Sequence, residues 1–225
     1  MIEMISIGAN CRKDDDMNKP FFSVIVPAHN AAHRIRHGLT SITRQTFTNY
    51  ELIVVCDDCQ DDTAAIAKSY TRHVYEVDWH SCGKTRNKGL DVATGEWVLF
   101  MDDDDWWDND HAFQIIANSV KDGSSWFDVL AFGFTFGTNG YARQYPGHLY
   151  IAIWNKCWKR SFISNTRFPE VPHSDDVGFA EQLHPKARFR YIDDNLYFYN
   201  YMRPGSITAK LKTGELQTLE QMGLR

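Results

Sequence analysis

A run of four consecutive aspartates, Asp102 to Asp105, follows the apolar stretch EWVLFM and precedes Trp106-Trp107. Side chains alternate between the two faces of a strand, so Asp102 and Asp104 are expected to point the same way. Two carboxylates on one face repel each other unless a cation lies near them, and Mg²⁺ and Mn²⁺ prefer such hard oxygen ligands. The alternative is a solvated acidic loop, which the strand before the run and the tryptophans after it disfavour. The run therefore predicts a divalent-metal site.

Two adjacent aspartates, Asp57 and Asp58, follow a second apolar stretch, ELIVVC. They are either turn or helix-capping residues, or Asp57 accepts the imino N–H of a pyrimidine base and so selects uracil-like ligands. Cys56 and Cys59 flank the pair. A single C-x-x-C is weak evidence for zinc, and both thiols are interpreted as packing residues.

Two further clusters combine charged residues with the start of a predicted helix. Three cations lie between Lys84 and Lys88, a pattern that favours either phosphate binding or a solvated basic face. Asp175 and Asp176 follow Ser174, a credible helix N-cap. Acids in a first helical turn stabilise the helix dipole, and a rigidly held one can instead act as a general base. The residues alone leave both interpretations open.

Apolar, β-branched stretches alternate with helical patterns in the first half of the chain. The predicted strands are FFSVIV (21–26), ELIVVC (51–56), HVYEV (73–77) and EWVLFM (96–101). Helices are predicted from the spacing of Ile35, Leu39 and Ile42, from the cap at Asp61-Asp62-Thr63 through Tyr70, and from Lys84 to Ala93. This alternation with short connections predicts an α/β fold with a mostly parallel sheet.

Three of the predicted strands end in polar clusters, at residues 27–30, 57–58 and 102–105. Parallel sheets bind ligands at the carboxyl ends of their strands, so these clusters are expected to share one crevice. The second half of the chain has longer aromatic strand candidates, at 128–136 and 190–202. Between them lie the stretch IWNKCWKRSFI and a predicted helix after Ser174.

The chain is predicted to form one domain. Residues 1–19, which include three adjacent aspartates, are expected to be a flexible tail. Residues 20–225 are expected to form a single α/β domain with two halves, 20–125 and 126–225.

The composition and charge of the chain argue against several classes of protein. The 225 residues include 24 Lys and Arg against 29 Asp and Glu, a net charge of −5, which argues against broad nucleic-acid binding. No apolar run reaches the roughly 18–20 residues of a membrane helix, and the N-terminus has no secretory signal pattern. Five cysteines do not suggest a disulfide framework, so a reducing, cytoplasmic location is predicted.

Taken in order, the clusters resemble those of the inverting family-2 glycosyltransferases of the GT-A fold. The matching segments, across about residues 22 to 208, are SVIVPAHN, SITRQTFTNYELIVVCDDCQDDT, GKTRNKGLDVATGEWVLFMDDDDWW, WNKCWKRSFI, HSDDVGFA and RPGSIT. The resemblance implies a single Rossmann-like, mostly parallel sheet flanked by helices, with a smaller β region on the acceptor side. It also implies that residues 20–125 bind a nucleotide sugar and that residues 126–225 supply the acceptor and catalytic groups.

The resemblance assigns roles to individual residues. The base and ribose of a nucleotide sugar are expected at Pro27, Ala28, His29, Asn30 and Asp57. The rest of the donor is expected at Lys84, Arg86, Asp102, Asp103 and Arg203, the last of these in a loop that runs to Thr208. Asp104, together with Asp102, is expected to bind Mn²⁺ or Mg²⁺. Asp176 matches the base that deprotonates the acceptor hydroxyl.

The sequence departs from the family pattern at four positions. His29 stands where many relatives have a tyrosine that stacks on the base, and Cys56 replaces the first of two usual aspartates. Asp175 replaces a glutamate, and Asn200 stands where relatives often have a basic residue. None of these changes removes the expected metal ligand or the expected base.

The activity implied by the resemblance is metal-dependent, inverting transfer of a sugar from a nucleotide sugar, UDP-linked, to a hydroxyl of a glycan or lipid-linked acceptor. This would take place in the cytoplasm, or peripherally at the cytoplasmic face of a membrane. A sugar-phosphate nucleotidyltransferase is one alternative, but it needs a glycine-rich basic loop where this chain has PAHNAAHRIR. A non-catalytic member of the family, which binds a nucleotide sugar without releasing the nucleotide, is the other.

Overall fold

A computed structural model of the chain describes residues 19–122, 126–138, 141–145, 152–201, 203–218 and 220–222. The predicted tail, apart from Lys19, lies outside the described residues.

The first half of the chain forms four parallel strands connected by helices. The strands are β1 (Phe22–Ala28), β2 (Tyr50–Asp57), β3 (His73–Val77) and β4 (Trp97–Phe100), and the helices are α1 (Ile35–Thr43), α2 (Thr63–Lys68) and α3 (Cys82–Val92). β1 lies between β2 and β4, and β3 pairs with the outer side of β2, all in parallel. The predicted strands and helices are confirmed, except that α2 ends at Lys68 and does not reach Tyr70.

The second half extends the same sheet with mostly antiparallel pairs. Its elements are β5 (Trp106–Trp107), α4 (Ala112–Lys121), β6 (Val129–Thr138), β7 (Tyr141–Tyr145), β8 (Lys156–Lys159), α5 (Arg160–Ile163), α6 (Asp175–Leu183), β9 (Phe189–Asn200) and α7 (Ile207–Thr213). The strand order is β3-β2-β1-β4-β8-β6-β9-β5, with β7 paired to β6. β8 runs antiparallel to both β4 and β6, whereas β6 and β9 are parallel. The result is one nine-stranded mixed sheet flanked by helices.

The hydrophobic core lies on both faces of this sheet. Val24 and Val26 of β1 pack into one cluster with α1, α2 and α4, while Ile25 between them packs into a second cluster with α3 and α6. A strand that is buried on both faces reads as a continuous apolar run, which is why the sequence pattern located β1. Gly89 of α3 lies against the Ile25 side chain, and a Cβ there would collide with it. The absence of that Cβ lets α3 approach β1 closely.

Candidate active site

A cavity of about 440 Å³ lies at the carboxyl ends of β1, β2 and β4. The strand ends contribute Pro27, Ala28, His29, Asp57, Asp102, Asp103 and Asp104. Its wall is completed by residues 80–82 before and within α3, by Thr85 and Arg86, and by a late segment that includes Tyr199, Arg203 and Gly205 to Thr208. The three polar clusters of the sequence therefore face one space.

Three residues with predicted roles are not among those that line this cavity. The Asn30 side chain accepts a hydrogen bond from the Gln60 backbone N–H and contacts the ring of His29. The Lys84 ammonium lies 3.1 Å from the Glu170 carboxylate. Asp176 lies in the first turn of α6, next to Asp175, which pairs with the cavity residue Arg86. Lys84 is therefore held by an acid outside the cavity, and phosphate binding by it would require that this ion pair break.

The Asp57 carboxylate is already fully hydrogen-bonded. It accepts backbone N–H groups of Trp79, His80 and Ser81 at 2.7, 3.0 and 2.8 Å, and the Thr85 hydroxyl at 2.9 Å. A carboxylate offers about four acceptor positions, so a nucleotide base would have to displace one of these donors. Burial alone would raise the pKa of Asp57, but the four hydrogen bonds outweigh it and lower the pKa. Asp57 therefore shapes the cavity by fixing the 79–81 loop.

Replacement of Asp57 by asparagine is expected to lower the free energy of unfolding by about 1–3 kcal/mol, because an amide leaves some of these N–H groups without an acceptor. The folded-state pKa of Asp57 is lowered, so its stabilisation is present at neutral pH and is lost as the pH falls through that pKa. The difference between wild type and variant should therefore shrink in acid. Urea denaturation of both proteins at several pH values measures this difference in the free energy of unfolding.

The matched control for this experiment is Asp62→Asn. Asp62 is exposed and its side chain makes no hydrogen bond that caps α2. Its replacement should change stability by no more than about 0.5 kcal/mol. Equal effects of the two substitutions would contradict the anchoring role of Asp57.

Arg34 is a site residue that the sequence reasoning missed. Its guanidinium forms a bidentate pair with Asp103, at 2.9 and 3.0 Å, and also donates to the backbone carbonyls of His29 and Asn30. The Nδ1 of His29 lies 2.7 Å from the backbone carbonyl of Asp57. The loop after β1 is thus fixed to both neighbouring strand ends. The sequence feature that could have identified Arg34 is its position as a cation immediately before the predicted helix that contains Ile35.

The four consecutive aspartates, Asp102 to Asp105, follow the end of β4 at Phe100 and lie in a turn, which we call the acidic turn. The Asp105 backbone N–H donates to the Asp102 carbonyl at 3.2 Å. Asp102 and Asp104 both face the cavity, as expected, but through the turn and not through strand alternation, and Asp103 lines the cavity with them. Asp105 is buried instead, and its carboxylate accepts the Tyr197 hydroxyl and the Asn200 N–H at 2.7 and 2.8 Å.

Each of the three cavity aspartates is paired with a different arginine. Arg86 donates to Asp102 at 2.8 Å, Arg34 to Asp103, and Arg203 to Asp104 at 2.6 Å. These arginines come from α3, from the start of α1 and from the segment after β9. Positive charge from distant parts of the chain therefore converges on the acidic turn.

The pKa values of Asp103 and Asp104 are both raised, and burial of the two carboxylates is the main cause. Burial, together with repulsion from Asp103 and Asp102, raises the pKa of Asp104 to about 6 despite the bond from Arg203. Burial also raises the pKa of Asp103. Crowded carboxylates of this kind suit a hard divalent cation, so the donor set fits the predicted metal, which Asp104 and Asp102 would hold.

A separate cluster brings three potential ligand atoms within 4.8 Å of one another in the described part of the chain, at Asp58, Asp78 and His80. Here the His80 ring nitrogens lie 3.0 Å from each of the two carboxylates. The His80 ring therefore bridges the two carboxylates of this cluster, which is exposed at Asp78 and His80.

Arg86 connects the acidic turn to helix α6. One terminal nitrogen donates to Asp102 and the other to Asp175 at 2.6 Å, and only 8% of the Arg86 side chain and 4% of the Asp175 side chain are exposed. The arginine also lies over the Phe168 ring, 5.7 Å from its centroid. Arg86 lines the cavity in which it is predicted to contact the donor, and its terminal nitrogens bind two carboxylates at the cavity wall.

Asp176 follows Asp175 in the first turn of α6 and is half-buried. Burial raises its pKa, and the negative charges of Asp175 and Asp102 raise it further against the opposing charge of Arg86. Ser174 occupies the N-cap position with φ of 59°, but its side chain does not cap the helix and lies 3.0 Å from the ring of His173. Because its pKa is raised, the Asp176 carboxylate is a stronger proton acceptor than an ordinary aspartate.

The late segment closes one side of the cavity. Arg203 pairs with Asp104, and Ser206 caps α7 by accepting the backbone N–H of Ala209. Gly205, Ser206, Ile207 and Thr208 line the cavity, so the predicted Arg203–Thr208 loop lies at the site.

A solved structure with a similar fold is that of Staphylococcus aureus TarS residues 1–349 in complex with UDP-GlcNAc. It aligns with a TM-score of 0.73 and 25% sequence identity over 84% of this chain and 60% of that chain. The predicted GT-A fold is confirmed by this match and by the sheet described above.

The chain belongs to glycosyl transferase family 2, whose model matches residues 23–179. YibD of Escherichia coli, an uncharacterised glycosyltransferase, is 39% identical over 235 residues, which cover 85% of this chain and 64% of YibD. TarS of Staphylococcus aureus, a poly(ribitol-phosphate) β-N-acetylglucosaminyltransferase, is 34% identical over 217 residues, which cover 82% of this chain and 36% of TarS. The chain thus spans less than two thirds of the length of these relatives. Each helix in the described ranges is too short or too polar to cross a bilayer.

Proposed function

We propose that this chain is a metal-dependent, inverting glycosyltransferase that moves a sugar from a UDP-linked donor to an acceptor hydroxyl. The proposal rests on one observation: Arg86 forms ion pairs with both the acidic turn and helix α6. Through Arg86, the carboxylates proposed to hold the metal and donor stand next to the carboxylate proposed to act on the acceptor.

The donor is proposed to bind in the 440 Å³ cavity. Pro27, Ala28 and His29 form its base end together with the loop that Asp57 anchors, and Asp102 is proposed to approach the ribose. Support for a UDP-linked donor comes from TarS, which binds UDP-GlcNAc in the similar fold. The rigid, glycine-free loop fixed by Arg34 disfavours a nucleotidyltransferase, because that loop does not form a flexible phosphate cradle.

Asp104 and Asp102 are proposed to hold Mn²⁺ or Mg²⁺. When bound, the cation would neutralise negative charge that develops on the leaving diphosphate. Arg203, released from Asp104, would then be free to pair with a phosphate oxygen.

Asp176 is proposed to take the proton of the acceptor hydroxyl as that oxygen attacks the anomeric carbon. The new bond forms on the face opposite the departing diphosphate, so an α-linked donor gives a β-glycoside. The acceptor is proposed to be a glycan or a lipid-linked sugar, and the reaction is proposed to occur in the cytoplasm.

A thermal-denaturation panel tests the donor proposal. UDP with Mn²⁺ is expected to raise the melting temperature, whereas GDP, dTDP or either component alone should have smaller effects. At a hundredfold excess over Kd the gain is about 2.7 kcal/mol, or about 5–10 °C for a domain of this size. The shift should be smaller at pH 5 than at pH 7, because Asp104, with a pKa of about 6, then carries a proton that the cation must displace.

Two outcomes of this panel would contradict the proposal. A larger rise in melting temperature with GDP or dTDP would assign a different donor. No rise with any nucleotide would contradict a donor site in this cavity. Binding of UDP-sugar without release of UDP in the presence of glycan acceptors would favour the non-catalytic alternative.

A further inference from the structure

Lys156 is a fully buried lysine that the transfer reaction, as proposed so far, does not use. It is the first residue of β8, and it is 0% exposed. Lysines are almost never fully buried unless partners compensate the cost of removing the ammonium from water. The Lys156 ammonium donates to the Ala152 carbonyl at 2.5 Å and to the Asn155 side chain at 2.8 Å, and neither of these groups carries a charge. The place of this cation in the fold therefore needs its own explanation.

The pairing of β8 places Lys156 on the face of the sheet that α6 covers. Trp158, two residues further along β8, packs against Phe179 of α6, with ring centroids 5.7 Å apart. Alternate residues of a strand share a face, so Lys156 lies on this face as well. Cys157 pairs with Leu99 of β4 in an antiparallel register. Lys156 is therefore one step nearer the carboxyl end of β4, where the donor cavity lies.

Asp176 lies on the side of α6 that packs against this part of the sheet. It precedes Phe179 by three residues and Ala180 by four, and residues at these spacings share one side of a helix. Phe179 and Ala180 are both buried. Measured from the contact between Trp158 and Phe179, Asp176 is one helical turn closer to the cavity, and Lys156 is two strand residues closer to it. The fold thus brings a buried cation and the proposed base to the same place between sheet and helix.

The charged groups around Asp176 act on it in opposite directions. Arg86 of α3 lowers its pKa, while Asp175 and Asp102 raise it. The negative charge of Asp176 in turn acts on the Lys156 ammonium. Because the interaction of two charges is mutual, Lys156 favours the ionised form of Asp176. Lys156 therefore opposes the neighbouring acids from the side of the sheet, as Arg86 does from α3.

The titration of Lys156 itself sets the pH range in which it can act. Burial lowers the pKa of Lys156 to about 7, and the charge of Asp176 opposes this shift. The side chain is therefore charged in the acid range, where an aspartate takes up its proton. His184, whose ring stacks on Trp158 at 5.8 Å, has a pKa lowered to about 4 by burial and by the charge of Lys156. His184 is thus neutral above that pH and adds no positive charge to this face.

We propose that Lys156 is a positioning residue for the transfer reaction, whose buried ammonium keeps the Asp176 carboxylate ionised and so able to take the proton of the acceptor hydroxyl. The inference rests on the proposed role of Asp176 as the base. Lys156 keeps its own protons throughout and acts on the reaction only through Asp176.

Replacement of Lys156 by methionine removes the charge and keeps an unbranched side chain of similar length. At saturating donor and Mn²⁺, the acid limb of kcat should move up by about 0.5–1 pH unit, less than the 1–3 units typical of opposite charges in direct contact. On that limb kcat should fall by about 3–10-fold, and at pH 8, where Asp176 is ionised in both proteins, it should stay close to that of wild type. KM for the donor should not change, since Lys156 is not among the residues that line the donor cavity.

An NMR titration of the whole chain, labelled with ¹³C at the aspartate carboxyl carbons, measures the same effect without sugar transfer. The Asp176 resonance is the one that Asp176→Asn removes. The pKa that it reports should be higher in Lys156→Met than in wild type by the shift seen in kcat. Transfer by both proteins without this pKa shift would overturn the inference and leave the proposed function intact. The pKa shift without any transfer would contradict the proposed function alone.

Two further variants separate the charge of Lys156 from its packing. Lys156→Gln replaces the ammonium by a neutral N–H donor and should raise the Asp176 pKa as much as Lys156→Met does. The matched control is Lys159→Met, because Lys159 lies at the other end of β8 and its charge acts on Asp128. This control should leave the Asp176 pKa and the acid limb unchanged, and thermal denaturation shows whether each variant is folded. An equal loss of kcat at pH 6 and pH 8 in both Lys156 variants, or a shift in the methionine variant alone, would overturn the proposal.

Discussion

Replacement of Asp176 by asparagine is expected to reduce sugar transfer by about 10²–10⁴-fold or more while leaving UDP–Mn²⁺ binding unchanged. The amide has nearly the shape of the carboxylate but cannot take the acceptor proton. Asp176 is not among the residues that line the donor cavity, so the loss should appear in kcat and not in the thermal shift with UDP. Transfer assays on wild type and variant, run beside the shift assay, measure both.

The pH profile adds an independent readout for this base. Burial and neighbouring carboxylates raise the pKa of Asp176 in the folded protein, so its proton-accepting form is lost at a higher pH than for an ordinary aspartate. At saturating donor and Mn²⁺, so that protonation of Asp104 does not limit binding, wild-type kcat should therefore fall on the acid side with an apparent pKa above the usual aspartate range. Asp193→Asn, a change at an exposed aspartate of β9, is the matched control and should retain full activity. An Asp176→Asn variant with wild-type turnover would place the base elsewhere.

The sequence pattern located the parallel half of the fold because its strands are buried on both faces. Val24 and Ile25 illustrate this, since they pack into opposite halves of the core and make β1 a continuous apolar run. β8 could not be located in this way. It is four residues long, and the fully buried Lys156 interrupts its apolar pattern, with an ammonium that donates to the Asn155 side chain at 2.8 Å. Its insertion between β4 and β6 depends on pairs such as Leu99 with Cys157, which no local pattern encodes.

The chemical character of the candidate site could be predicted from local sequence, but the pairing of its charged residues could not. Four adjacent carboxylates indicate a cation or basic partners wherever they lie. Which arginine meets which aspartate depends on the folded chain, since Arg34 lies 69 residues from Asp103 and Arg203 lies 99 residues from Asp104. For the same reason Asp57 could be proposed as a base-binding residue, while its four hydrogen bonds to the 79–85 region became visible only in the structure.

Replacement of Arg86 by methionine is expected to lower the free energy of unfolding by about 3–5 kcal/mol, the usual effect of removing one partner from a buried ion pair. The cost arises at Asp175, whose carboxylate would stay buried without its cation. Arg167→Met is the matched control. Its pair with Asp91 is exposed, at 38% and 54% of the two side chains, and such pairs contribute about 0–1 kcal/mol. Urea denaturation of both variants against wild type measures the difference.

The double variant Arg86→Met with Asp175→Leu separates stability from function. Replacing both buried partners by apolar groups removes the unpaired charge, so much of the lost stability should return. Transfer should not return, because Asp102 and the first turn of α6 would no longer be joined and Asp176 would lose its fixed position beside the donor. If the double variant recovered both stability and transfer, the bridge would be a structural ion pair alone. If it recovered stability without transfer, Arg86 would be the positioning residue that places the base against the donor site.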